Sequence, residues 1–312
     1  MSDHQGHDHD HADADSGHEH GHEHGHEHGH FDEAEWARWA AETELQGEVL
    51  LSFVTGTAER VMPIWAGIAP SRIFDVGSGP GVAACELARL FPTAEVVAVD
   101  SSPAMLERAD RRIQAHGLSA RVTTALAEFD DVSTLGQADL IWASMALHHV
   151  GDEVAALRAL RESLSDDGIL AIAEIADPMQ VLPDDLGIGK VGFADRVEHA
   201  SAGWFSQMRD HIPSSVASAD LAAMITNAGY IIIDDRVDRV RFDAPLTADA
   251  QKLAVGYVRR TLHQLSALLD RDDLDTLEAL LDPANPLSAL RRTDLFIDAS
   301  LRIVIARPTQ PA

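Results

Sequence analysis

The chain has 312 residues, 46% of them hydrophobic, a formal net charge of −27 and one cysteine, Cys85. That length holds one large domain or two small ones with area for a core, and a surface this acidic repels polyanions, which argues against nucleic acid as a partner. A lone cysteine excludes an internal disulfide. No basic leader or membrane-length apolar run is seen, so the sequence predicts a cytoplasmic protein without membrane contact and leaves its oligomeric state open.

Residues 1–31 form a low-complexity tail in which Gly-His-Glu-His occurs three times from Gly17 to His28. Eleven of the seventeen histidines lie there, with acids and no Lys or Arg. Such a segment buries too little apolar surface to offset its ordering entropy. Its alternating imidazoles (His18, His20, His22, His24, His26, His28 and His30) are ligands for adventitious Zn or Ni. Residues 32–69 follow as N-terminal helices, Glu33 to Glu42 and Gln46 to Ile68, with Trp36, Trp39, Leu50, Phe53 and Val54 on a packed face.

From Pro70 strands and helices alternate. Strands are predicted at 72–76, 95–100, 121–125, 138–144 and 168–175, with helices between them, such as Pro103 to His116 and Asp152 to Leu164. This alternation indicates a parallel sheet covered on both faces. After a turn-rich stretch, Phe193 to His211 and Ser218 to Asn227 read as helices, and Tyr230 to Ile233 as a strand. Leu246 to Leu281 is strongly helical, and Asp294 to Ala306 is a closing strand.

The most informative stretch is Arg72-Ile-Phe-Asp-Val-Gly-Ser-Gly-Pro-Gly81, a buried strand running into a glycine loop at the start of a helix. Glycines there permit a sharp turn and close ligand approach. The next strand ends in Asp100, 19 residues past Gly81, placed to accept from both hydroxyls of a ribose. The dinucleotide fingerprint Gly-x-Gly-x-x-Gly/Ala fails at Val82, and Asp75 would repel a pyrophosphate. An NAD(P)-dependent oxidoreductase is therefore the second reading. A histidine-rich metal-binding protein with a non-catalytic Rossmann-like body is the third.

The loop Asp75, Gly77, Ser78, Gly79, Gly81 resembles motif I of the class I S-adenosylmethionine-dependent methyltransferases, and Asp100 matches their ribose acid. Ala138-Asp-Leu-Ile-Trp-Ala-Ser-Met-Ala-Leu-His-His-Val150 is similar to their fourth strand. The resemblance implies a doubly wound, Rossmann-like α/β fold. Its seven-stranded sheet is mostly parallel with an antiparallel last strand, occupying 70–308 with helical insertions at 181–215 and 244–291. It implies S-adenosylmethionine as cofactor and methyl transfer to a small-molecule acceptor. Ser101, Met105, Ala127, Glu128, Ala143 and Ser144 then fall beside the cofactor. Where the family commonly has an adenine-binding Asp, this chain has Leu126, which passes that contact to Glu128 or to backbone groups. Trp36 and Trp39 fall on a segment that lies over the cofactor in the family.

His148 and His149, at the end of the fourth strand, are the candidate general bases, because neutral imidazole accepts a proton near pH 7. His199, Trp204, Arg209 and His211 are candidates to line the acceptor pocket, whereas His263 reads as structural or solvent-facing.

Overall fold

A computed structural model describes residues 33–65, 69–210 and 220–309. Two helices, α1 (Glu33–Val49) and α2 (Ser52–Val61), lead into β1 (Arg72–Val76), α3 (Val82–Leu90), β2 (Glu95–Asp100) and α4 (Pro103–Ala115). β3 (Val122–Leu126), β4 (Ala138–Ser144), α5 (Glu153–Glu162) and β5 (Leu164–Gln180) complete the regular half. Then come α6 (Phe193–Asp210), α7 (Leu221–Asn227), β6 (Tyr230–Phe242), α8 (Ala248–Leu265), α9 (Arg271–Leu281) and β7 (Ile297–Pro308).

The seven strands form one sheet in the order β3-β2-β1-β4-β5-β7-β6, and β7 runs antiparallel to both of its neighbours. This is the sheet implied by the sequence resemblance. One face buries Ile73, Leu140 and Ile303 against Phe53 of α2, Leu87 of α3 and Leu253 of α8. The other buries Phe74, Ile141 and Val304 against Leu157 of α5 and Ile225 of α7. Each such side chain contributes roughly 1.5–3 kcal/mol by leaving water. Strands buried on both faces need continuous apolar runs, which is why β1, β2 and β4 stood out in the sequence.

Several boundaries differ from the sequence reading. The break between the first two helices falls at residues 50–51 rather than between Glu42 and Gln46, so Thr43, Glu44 and Gln46 belong to α1. β5 continues to Gln180 and β6 to Phe242, well past Ile175 and Ile233. Asp177-Pro178 had hidden the β5 extension, which Ser300 of β7 holds through hydrogen bonds with Asp177, and charged residues had hidden that of β6, which cross-strand ion pairs hold. Arg239 and Arg241 bind Asp298 of β7, and Arg302 binds Asp235 of β6. The last register pair of β4 with β5 is Ser144 with Ala173, so β5 runs seven residues farther, roughly 20 Å at an extended rise. β5, β7 and β6 therefore make a wall beyond the carboxyl ends of β1, β2 and β4.

The segment between β6 and β7 folds as α8 and α9, which pack on α1, α6 and each other over that wall. No helix among the described residues is long and apolar enough to cross a membrane. The histidine-rich tail, with His18 to His30, lies outside the described residues.

Candidate active site

The glycine loop is built by hydrogen bonds to β2. The amides of Gly77 and Ser78 both donate to the Val99 carbonyl, at 2.8 and 3.0 Å. Gly77 adopts φ +71°, and a Cβ there would lie 2.3 Å from the Ala146 Cβ, so this position demands glycine on two counts. Gly81 (φ +75°) similarly abuts Ala109, at 2.9 Å, where the helix after the loop crosses α4. Gly79 (φ +51°) differs, because a Cβ on it would meet no protein atom within 4 Å. The middle of the loop thus faces open space at the carboxyl edge of the sheet.

Asp100 closes the loop from β2. Its Oδ2 accepts from the Gly79 amide and its Oδ1 from the Ser102 amide, each at 2.8 Å. A carboxylate oxygen has two lone pairs, so one that accepts from an amide is also able to accept from a hydroxyl. Ser101 is half-buried beside it, and Met105 is buried in the first turn of α4. Leu126 pairs with Asp100 across β2 and β3 and is 63% exposed. The Ala127 amide donates to the Asp100 carbonyl at 3.2 Å, and Glu128 is exposed next to it.

Asp75 points from the middle of the sheet into the upper layer and is buried. Desolvation pushes its carboxyl up to about 7; the Ala84 backbone amide pulls it back, and the Asp100 charge raises it further. Its Oδ2 and the Ser78 Oγ are buried without a hydrogen-bond partner among the described residues. A buried acid with one oxygen unpartnered, a buried hydroxyl and an open glycine edge fit a ligand with a cationic group and a ribose. Those are the acceptors that S-adenosylmethionine requires for its amino group and ribose.

β4 ends in a strained turn. Met145 takes φ 52°, a left-handed conformation that costs a non-glycine residue about 1–2 kcal/mol. The turn carries the chain into a short 3-10 turn at Leu147–His149. Glu174 of β5 fastens it from below. One carboxylate oxygen accepts from the Ala146 and Leu147 amides, at 3.2 and 2.9 Å, and the other lies 2.7 Å from His148 Nδ1. His149 is exposed, and its ring lies tilted against His148 with centroids 4.1 Å apart and 44° between the planes. Ser144 is half-buried at the strand end, while Ala143 is fully buried in the lower core, leaving its backbone as the part near the edge.

α1 roofs this edge. Gly47 allows α1 to approach the start of α3, where a Cβ would come within 3.1 Å of Val82. Glu44 and Glu48 pair with Arg112 of α4, and Glu42 pairs with Arg259 of α8. Trp36 and Trp39 pack edge-to-face on α1, with centroids 6.2 Å apart.

On α6, His199 is exposed and Trp204 half-buried, and on α8 His263 is exposed. The side chain of Arg209 and all of His211 lie outside the described residues. Cys85 is buried, and burial pushes its thiol up to about 11, as suits an inert packing residue.

Residues 73–168 match the family model described as a methyltransferase domain. Along most of its length the chain is similar to a trans-aconitate 2-methyltransferase of Methylobacterium radiotolerans, 28% identical over 76% of this chain and 78% of that protein. It is also similar to a malonyl-[acyl-carrier protein] O-methyltransferase of Laribacter hongkongensis, 25% identical over 78% of this chain and 77% of the other. Together these likenesses support a class I S-adenosylmethionine-dependent methyltransferase.

A solved structure of a Bacillus halodurans C-125 protein, with a TM-score of 0.50 at 14% identity, covers 81% of the methyltransferase and 99% of itself, and shares its fold. Neither the oxidoreductase nor the metal-carrier reading finds support among these relatives. Sequence reasoning missed Glu174 as a site residue. Its signal was an acid interrupting the apolar run Ile169 to Ala176 of a buried strand.

Proposed function

We propose that this methyltransferase acts on a small-molecule acceptor, bound between α1, α6, α8 and the carboxyl ends of β4 and β5. The observation that carries this reading is the roof, since α1 is tied by Glu44 and Glu48 to α4 and by Glu42 to α8. A covered strand edge admits a small ligand more readily than a macromolecule, and the net charge of −27 disfavours polyanions. Relatives named for methylating trans-aconitate support it.

In this reading Asp75 takes the cationic amino group of the cofactor, the Gly77–Gly81 loop passes close beneath it, and Asp100 holds the ribose. Bound there, S-adenosylmethionine supplies a methyl group activated by the positive sulfonium. The remaining tasks fall to the protein: aligning the acceptor, excluding water and, for a protonated nucleophile, removing its proton. Glu174 accepts from His148 Nδ1–H, which fixes the ring and leaves Nε2 as the nitrogen that takes the proton. His149 leans against this ring and limits its rotation.

Screening metabolites for methyl transfer by the full-length protein, with product mass as the readout, tests the proposal. A methylated small molecule is the expected result. Efficient methylation of tRNA or protein with no small acceptor would overturn it.

A further inference from the structure

Arg260 of α8 is half-buried beneath the roof, and its surroundings match its charge poorly. Several other arginines among the described residues meet a carboxylate through both arms of the guanidinium, while the half-buried Arg121 and Arg161 spread theirs over two or more backbone carbonyls. The carboxylate pairs are Arg196 with Asp273, Arg239 with Asp298, Arg292 with Asp294 and Arg302 with Asp235, all at 2.5 to 2.9 Å. Arg260 does neither. Its one carboxylate neighbour among the described residues, Glu42, stands 3.7 Å away and is held closer, at 3.0 Å, by Arg259. The hydrogen bond that Arg260 makes is to a neutral group, the Gln46 side-chain oxygen at 3.2 Å. Two guanidinium groups thus share one carboxylate beneath the roof.

The position is as informative as the charge. Gln46 receives Arg260 with its oxygen and donates its amide nitrogen to the Met145 sulfur at 3.5 Å. One amide group therefore separates Arg260 from the strained turn that ends β4, beside His148. Tyr257, one helical turn earlier, lies with its ring 5.8 Å from the Arg260 guanidinium, and no described residue hydrogen-bonds its hydroxyl. Burial pushes the Arg260 guanidinium below the usual arginine range, with Glu42 and Tyr257 only partly offsetting it. Desolvating a cation whose one carboxylate is shared with a second guanidinium costs free energy. A ligand anion returns it, and a planar fork suits a planar carboxylate.

We propose that the acceptor bears a carboxylate, received by Arg260 with Arg259 and the Tyr257 hydroxyl beside it. The proposal rests on the small-molecule reading above and names the chemical class of that acceptor. Arg260 is then a specificity-determining residue, and Gln46 sets its position relative to the β4 turn.

The test uses the full-length protein and S-adenosylmethionine with paired probes, carboxylic acids and the primary amides of the same carbon skeletons. The expected result is methyl transfer to acids, with kcat/KM for the matching amides about 100-fold lower. Arg260→Gln should raise KM for the best acid about 10- to 100-fold, the loss of a charge-assisted contact. It should leave S-adenosylhomocysteine affinity unchanged, which also certifies the fold. Arg260→Lys should recover part of the loss. Amides accepted as well as acids, or an unchanged KM in a folded Arg260→Gln protein, overturn the carboxylate assignment and leave the small-molecule reading standing. Should Arg260→Gln not fold, the acid–amide comparison on the unmodified protein decides alone. Methylation of macromolecules alone overturns both.

Discussion

Glu174 and His148 are joined by a 2.7 Å contact between Oε2 and Nδ1, and the other Glu174 oxygen holds the amides of the turn that carries His148. One carboxylate thus fixes both the backbone and the ring. If His148 is the base, His148→Gln should lower kcat by about 10²–10⁴-fold. Glu174→Gln, which keeps an acceptor for the amides, should lower kcat by a smaller factor and alter the pH–rate profile while preserving S-adenosylhomocysteine binding. Glu174→Ala strips the amides as well and should cost about 1–3 kcal/mol of stability in chemical denaturation. An undiminished kcat in both His148→Gln and Glu174→Gln would show that the acceptor needs no base from this pair.

Asp100→Ala is expected to weaken S-adenosylhomocysteine binding by ~1.5–3 kcal/mol in calorimetry, the worth of hydrogen bonds to a charged acceptor. Because Asp100 also holds the Gly79 and Ser102 amides, some of the loss arises through a looser loop. Stability should fall modestly and folding survive. An unchanged affinity would place the ribose elsewhere.

The glycines of the loop separate fold from function. Gly77→Ala drives a Cβ into Ala146 and should destabilise the apo protein by several kcal/mol, roughly the cost of overpacking added to left-handed strain. At Gly79 an added Cβ meets no protein atom within 4 Å, so Gly79→Val carries mainly the strain, yet it fills the space assigned to the cofactor. Thermal melts should rank Gly77→Ala as the less stable, and S-adenosylhomocysteine titration should show Gly79→Val as a folded non-binder. Normal binding by Gly79→Val would move the cofactor off this loop.

Asp75 gives a pH dependence whose sign is fixed. Its carboxyl is raised from 3.8 to about 7, so between those values the native state holds a proton that the unfolded chain has released. Its contribution to stability therefore declines as pH rises from about 4 to 7 and stays level above. Asp75→Asn should be more stable than the parent above pH 7, by about 2–4 kcal/mol, with the gap closing toward pH 4. Binding runs the other way, because a cationic amino group selects the carboxylate. S-adenosylhomocysteine affinity should fall about tenfold per pH unit below 7 in the parent protein and be weak and flat in Asp75→Asn. A parent affinity independent of pH from 5.5 to 8 would remove Asp75 from the contact.

For the histidine-rich tail the expectation is separability. Deleting residues 1–30 should remove most Zn and Ni binding, measured by competition with a chromogenic chelator, and leave methyl transfer nearly unchanged. Loss of transfer on deletion, with metal stimulating only the full-length chain, would bring the tail into the mechanism.

What the sequence determined on its own is what neighbouring residues decide together. A buried apolar run, three glycines and a strand-tip acid at Asp100 are local patterns, and they announced β1, the loop, β2 and the sheet that follows from their alternation. The extension of β6 was not legible, because Asp235, Arg239 and Arg241 look like solvent-exposed loop until Arg302 and Asp298 of β7 bind them. The site divides in the same way. Asp75 and Asp100 could be named from their spacing, whereas Glu174 meets His148 from 26 residues away, and Arg260 meets Gln46 from 214. Contacts at that separation leave no periodicity in the chain. Only closing the sheet and laying α1 and α8 across its edge brought those groups within hydrogen-bonding distance, and only burial made a poorly compensated charge at Arg260 costly enough to be informative.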